Sequence, residues 1–168
     1  MEQAIPHIFN LQSINKATSS PTFANNLIDA IGKGFILYSK GQFNACPIQT
    51  MGAPPMAPFQ SQLHTEKTES DPEYAAQTCV KSGYLTGESH YVIKVASGGY
   101  PLPSNSGLMQ VFSQTTGRLE ALLLDEGILT ELRTAAVGAL AAKYLAPKTI
   151  HMIGERNVNV NRENQFFI

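Results

Sequence analysis

Residues Thr116–Pro147 read TGRLEALLLDEGILTELRTAAVGALAAKYLAP, and this run decides the fold. Thr116-Gly117 is a turn signal. Leu119 to Leu124 is an almost wholly apolar run of strand length, which suggests a strand covered on both faces. Asp125-Glu126-Gly127 interrupts it. From about Glu131 to Leu145 the sequence favours a helix, with Thr130 as its cap and Glu131 at the positive end of the dipole. Pro147 marks the end. The small side chains between Thr134 and Ala142 let such a helix approach a neighbour closely.

Working upstream, Leu108–Ser113 is a second strand, and Gln114–Gly117 joins it to the first as a hairpin. The segment from Ser97 to Gly107 (SGGYPLPSNSG) reads as a Gly- and Pro-rich loop, whose backbone N–H groups could cradle a ligand. His90–Ala96 (HYVIKVA) is rich in β-branched residues and predicts a strand. Ser61–Ala75 is a polar loop. Cys46–Pro58 contains Pro47, Pro54, Pro55 and Pro58, which forbid a continuous helix, so it is expected to be extended along the core. Thr22–Ser39 shows helical spacing, with Ser20 or Thr22 able to cap and Gly41 as its stop. Downstream, Thr149–Gly154 (TIHMIG) reads as a short buried strand, and Glu155–Asn164 is polar and Asn-rich.

The 168 residues suit one domain, and 43% hydrophobic with 15% charged residues is a folding composition. A net charge of −1 and scattered basic residues lack the footprint of a nucleic-acid or anionic-membrane binder. Cys46 and Cys79 form no Cys-x-x-Cys pair, and the four histidines show no ligand spacing, so neither a disulfide framework nor a metal is expected. The first nine residues do not read as a signal peptide, and no run of 18 apolar residues occurs. A cytoplasmic setting is therefore the expectation.

Two cations stand where cations are unfavourable. Arg133 falls, on this reading, in the first turn of the second helix, where it opposes the dipole at a cost of roughly 0.3–1 kcal/mol. The unpaired N–H groups there could join it in clamping a carboxylate or phosphate. The competing reading is a surface arginine paired with Glu131 or Asp125. Lys94 lies inside an apolar strand, and alternation sets it on one face with Val92 and Ala96, against Tyr91, Ile93 and Val95 on the other. Burial would lower its pKa. The competing reading is a lysine snorkelling at a sheet edge. Asp125-Glu126 could bind a cation or act as acid and base, or simply be the solvated end of a hairpin.

Three fragments in order, YVIKVASG (Tyr91–Gly98), LPSNSGLMQVF (Leu102–Phe112) and the Thr116–Pro147 run, resemble the ornithine cyclodeaminase/mu-crystallin family. The last holds D-x-G-x-[LI]-T followed by R-T-A-A opening an Ala-rich helix. The PIQTMGAPP segment resembles the ornithine cyclodeaminase branch. The resemblance covers roughly Thr22 to Gly154. It implies an α/β (α+β) fold: a split N-terminal substrate and dimerisation domain with a curved sheet and flanking helices, residues 1–148. It also implies a Rossmann domain for NAD(H), of which residues 149–154 would be the first strand. The implied reaction is lyase chemistry of amino-acid metabolism, L-ornithine to L-proline plus ammonia, with NAD as internal hydride carrier. Relatives include ketimine reductases.

By the resemblance, Arg133 meets the substrate carboxylate and lies near the cofactor, Lys94 contacts substrate, and Ser104 falls near a cofactor contact. Gln49 stands near the place where many members carry a carboxylate-binding arginine. A homodimer and a small amino-acid substrate are the implied partners.

One departure changes the expectation. TIHMIG should lead into G-x-G-x-x-G/A, whose glycines let backbone approach the pyrophosphate. Gly154 fits the first position, but Arg156 and Asn159 occupy the others. Residues 155–168 therefore read as an aberrant tail on a truncated chain, expected to be inactive by itself. The alternative is a non-enzymatic dimerisation or carboxylate-binding module.

Overall fold

The structure, a computed structural model, describes residues 5–52, 75–100 and 106–149. The elements in chain order are β1 (His7–Phe9), α1 (Leu11–Thr18), α2 (Phe23–Ser39), β2 (Phe43–Ala45), β3 (Gln49–Gly52), β4 (Ala75–Leu85), β5 (His90–Tyr100), β6 (Ser106–Ser113), β7 (Leu119–Leu123) and α3 (Ile128–Leu145). The seven strands form one mixed sheet in the order β1-β7-β6-β5-β4-β2, with β3 also paired to β4. It does not close: β1 is one edge, and β2 and β3 share the other.

The hairpin expected around Gln114–Gly117 is present, with β6 and β7 antiparallel and Val111 opposite Ala121. β5 is longer than HYVIKVA and runs to Tyr100, while β6 begins at Ser106. Both ends of the expected Ser97–Gly107 loop are thus strand, because Ser97 pairs with Ser106 and Ala96 with Gly107. Residues 101–105 lie outside the described residues. β4 carries no apolar alternation, yet it pairs with β5 over Ala75–Gly83 and accepts β2 and β3 on its other side. β1 adds parallel to β7, with Ile8 opposite Leu122. β7 is half-buried on both faces except at exposed Glu120.

The expected first helix is α2. Its Thr22 gives no side-chain cap. At its end the Gln42 N–H donates to Leu37 O and the Gly41 N–H to Tyr38 O, so the helix stops where Gly41 was expected to stop it. Asn10 caps α1 instead, its Oδ1 accepting from the Ser13 N–H at 2.9 Å. Residue 53 onward in the Pro-rich segment, the 61–74 loop, the 150–154 strand and the 155–168 tail lie outside the described residues.

Leu132, Ala136 and Ala139 are buried, at i, i+4 and i+7 of α3, and with Ile14 they make up the buried apolar set among the described residues. α3 packs on α2, where the Leu140 Cδ1 would lie 3.4 Å from a Cβ at Gly32. The small residues on this face of α3 serve that close approach, whereas Gly138 faces open space.

A glycine is required at position 83 for a different reason. A Cβ there would stand 2.4 Å from the Phe43 Cζ and 3.0 Å from Asn44 O. Gly83→Val is expected to destabilise the domain by about 1–3 kcal/mol through overpacking. A urea midpoint equal to that of the parent would contradict this packing of β2 on β4.

Candidate functional site

The site forms where α3 enters the domain above the sheet. α3 starts at Ile128, three residues before the expected Glu131, and its cap position is Gly127 at φ 92°. Glu126 before it is at φ 48°. These two left-handed residues turn the chain from β7 into the helix, and glycine takes the second at no steric cost. The side-chain cap comes from Asp125 rather than Thr130. Asp125 is buried, and its Oδ2 accepts the Leu129 N–H at 3.1 Å. The Asp125-Glu126 pair is therefore not a solvated hairpin end.

The new start moves Arg133 from the first turn into the second, where the dipole penalty has largely faded. It also removes the expected helix-end contribution to an anion pocket. The Ile128 N–H donates to Asp125 O, Leu129 to the Asp125 carboxylate, and Thr130 and Glu131 to Gly127 O. Any anion here must be held by side chains.

Those side chains converge. With Asp125 as cap, the Thr130 hydroxyl is free of that duty, and it accepts a hydrogen bond from the Lys94 Nζ. Arg133 is one turn beyond Thr130, at the i+3 spacing that makes helix neighbours, and its side chain is exposed. Lys81 lies directly opposite Lys94 across the β4–β5 ladder. Directly opposed like charges are unfavourable. β5 is an interior strand between β4 and β6, so Lys94 is not the edge lysine of the competing reading.

Burial, first, and then the Arg133 guanidinium hold the Lys94 amine below its ordinary value of 10.5. Asp125 works in the other direction, and Lys81 adds to the lowering. The folded state therefore binds fewer protons at Lys94 than the unfolded chain in the window between the lowered value and 10.5. Stability rises with pH there. Lys94→Met removes that slope. The stability difference between variant and parent is expected to shift toward the parent as pH rises toward 10.5. Urea midpoints at several pH values measure it, and a pH-independent difference would contradict the placement of Lys94.

Gln49 is not brought to this cluster. It is exposed on β3 and pairs with Val80, whose partner on β5 is Val95. Strand alternation sets these on the sheet face opposite Lys94. Ser104 lies outside the described residues. Asp125, Thr130 and Lys81 are the site residues that motif reading missed or misassigned. The D-x-G-x-x-T spacing was the available signal for the first two.

An open groove of about 580 Å³ sits at the β2–β4–β5 corner, walled by Phe43, Ile48, Leu85 and Tyr91. Neither Lys94 nor Arg133 lines it, and its walls are mostly apolar. Lys81 lines it too, together with Glu88 and His90.

A dinucleotide makes a further demand on this geometry. A pyrophosphate needs open N–H groups at a helix start or glycine turn. The first four of α3 are all engaged, and of the residues expected to meet cofactor only Arg133 lies among those described. The described residues do not by themselves fit NAD(H).

The sequence pattern of the ornithine cyclodeaminase/mu-crystallin family matches residues 10–155. An uncharacterised cyclodeaminase of Sinorhizobium fredii is 42% identical over 80 residues, which is 45% of this chain and 24% of that protein. An archaeal alanine dehydrogenase dimer with bound NAD shares the fold with a TM-score of 0.61 and 22% identity, over 85% of this chain and 38% of that one. The Thermococcus litoralis Δ1-pyrroline-2-carboxylate reductase, in complex with NADH and L-proline, has a TM-score of 0.61 and 20% identity, over 84% and 38%. The chain thus spans well under half the length of these relatives.

Proposed function

The chain belongs to the ornithine cyclodeaminase/mu-crystallin family, and from that premise we propose that Lys94 and Arg133 bind the carboxylate of a small amino or imino acid. The observation that carries this reading is the convergence of a half-buried lysine and an arginine on one side of α3, with Lys81 opposite and, among the described residues, Asp125 as the carboxylate acting on Lys94, itself already engaged as a helix cap. The cluster has an excess of cations that a ligand carboxylate would balance. Arg133 offers a planar fork suited to two carboxylate oxygens, and Lys94 a point charge oriented by Thr130.

In this proposal residues 1–148 are the substrate and dimerisation domain. The family reaction, L-ornithine to L-proline and ammonia with NAD, belongs to an assembly that also binds the dinucleotide. Residues 1–168 alone are proposed to bind the amino acid without turning it over. A second copy of the chain is the proposed partner and the cytoplasm the proposed setting; no described helix is long and apolar enough to cross a membrane.

Calorimetric or NMR titration with L-proline and L-ornithine tests the reading. Binding near the millimolar range, about −4 kcal/mol, is expected. It should weaken in Arg133 and Lys94 variants that melt like the parent. Absence of binding, or binding indifferent to both residues, would sink the proposal. Retained binding with no ammonia release on addition of NAD would favour the non-enzymatic carboxylate-binding module over an active cyclodeaminase.

A further inference from the structure

Among the described residues the Lys94 amine has no carboxylate salt-bridge partner; its hydrogen bond goes to a neutral hydroxyl, that of Thr130. It stands on an interior strand, half-buried, with Lys81 across the ladder and Arg133 one helical turn past Thr130. A lysine used only for charge is best left fully solvated, whereas one crowded by two other cations is a nucleophile in waiting.

We propose that Lys94 condenses reversibly with the carbonyl carbon of a small 2-oxo acid, whose carboxylate is taken by Arg133. The amine nitrogen attacks the carbonyl carbon and forms the C–N bond. The carbinolamine then loses its hydroxyl with a proton as water, leaving an imine. Amine plus 2-oxo acid equals imine plus water, with no change of oxidation state and no added reagent. Thr130 Oγ1 already accepts from the amine and so orients the lone pair once a proton has left. The same neighbours that crowd Lys94 keep a larger share of it neutral than an exposed lysine would have. Arg133 supplies selectivity, since a neutral ketone brings nothing for the guanidinium to hold.

This inference rests on the reading of Lys94 and Arg133 as a carboxylate site, and the experiment separates the two. The full chain is incubated near neutral pH with pyruvate and sodium cyanoborohydride, digested, and mapped by mass spectrometry. The expected result is an adduct of pyruvic acid less one oxygen on the Lys94 peptide, several-fold above that on exposed Lys16, Lys40 and Lys143. Acetone, the same carbonyl without the carboxylate, should label Lys94 far less. Excess L-proline, which has a carboxylate but no keto group, should suppress labelling, and Arg133→Gln should reduce pyruvate labelling to the acetone level. Even labelling across all lysines, or none at Lys94, overturns the inference using the unmutated protein. If L-proline still binds in the titration while Lys94 stays unlabelled, the condensation alone falls. If L-proline does not bind and Lys94 stays unlabelled, both readings fall.

Discussion

Asp125→Ala is expected to destabilise the domain by about 2–4 kcal/mol, the largest stability effect of any substitution near the site. The side chain is 1% exposed, so its loss leaves space and unpaired groups rather than a solvated surface. Removing it frees the Leu129 N–H at the start of α3. It also removes a carboxylate whose charge favours the protonated Lys94 amine against burial, Arg133 and Lys81. The two effects separate in Asp125→Asn, which keeps an oxygen acceptor but loses the charge. Asn should retain most of the cap, costing about 1 kcal/mol, while pushing the Lys94 pKa further down because the opposing influence is gone. Urea melts of the two variants measure the difference. Equal loss in both would mean the charge, not the cap, is what Asp125 contributes. No loss in either would contradict its burial at the entrance of α3.

Arg133→Gln is expected to weaken carboxylate binding by roughly ten- to a hundredfold, about 1.5–3 kcal/mol, with little change in stability. The stability half follows from exposure: Arg133 makes no ion pair or hydrogen bond among the described residues, and surface substitutions of that kind move stability little. The binding half follows from the loss of a charged, two-pronged donor. Arg133→Lys distinguishes charge from shape, because a point charge in the same place restores attraction without the fork. An intermediate affinity is the expected outcome of titration with L-proline. An affinity unchanged in Arg133→Gln would remove Arg133 from the site and leave Lys94 to act alone.

These two residues also show what could be read in advance. Lys94 stands out as a cation inside a β-branched strand, whereas Arg133 stands out only if the helix starts near Glu131, and the start at Ile128 removes most of that dipole opposition. Local pattern suffices for the first of these. Asp125 is marked in the sequence by its place after a strand and by the D-x-G-x-x-T spacing, but its role as a cap depends on the helix beginning three residues earlier than its polar residues suggest. Glu126 and Gly127 both take left-handed conformations, and with that turn Asp125 rather than Thr130 meets the first N–H groups. Gln49 illustrates the reverse relation between sequence and structure. Its place in the chain resembled a carboxylate contact, but strand register sets it on the other face.

By itself, the sequence determined α2, the β5–β6–β7 run and α3, since each carries its own periodicity and stop signals within a dozen or so residues. It also determined which face of β5 Lys94 occupies, because alternation is a property of the strand alone. Only the tertiary structure decided β4, whose AAQTCVKSGYL pattern has no apolar rhythm and is held as a strand by partners on both edges. It likewise decided the parallel addition of β1 to β7 across more than a hundred residues of intervening chain, and the meeting of Lys94 with Thr130. Such pairings draw on hydrogen bonds and charges between segments remote in sequence, and no local window contains both halves of them.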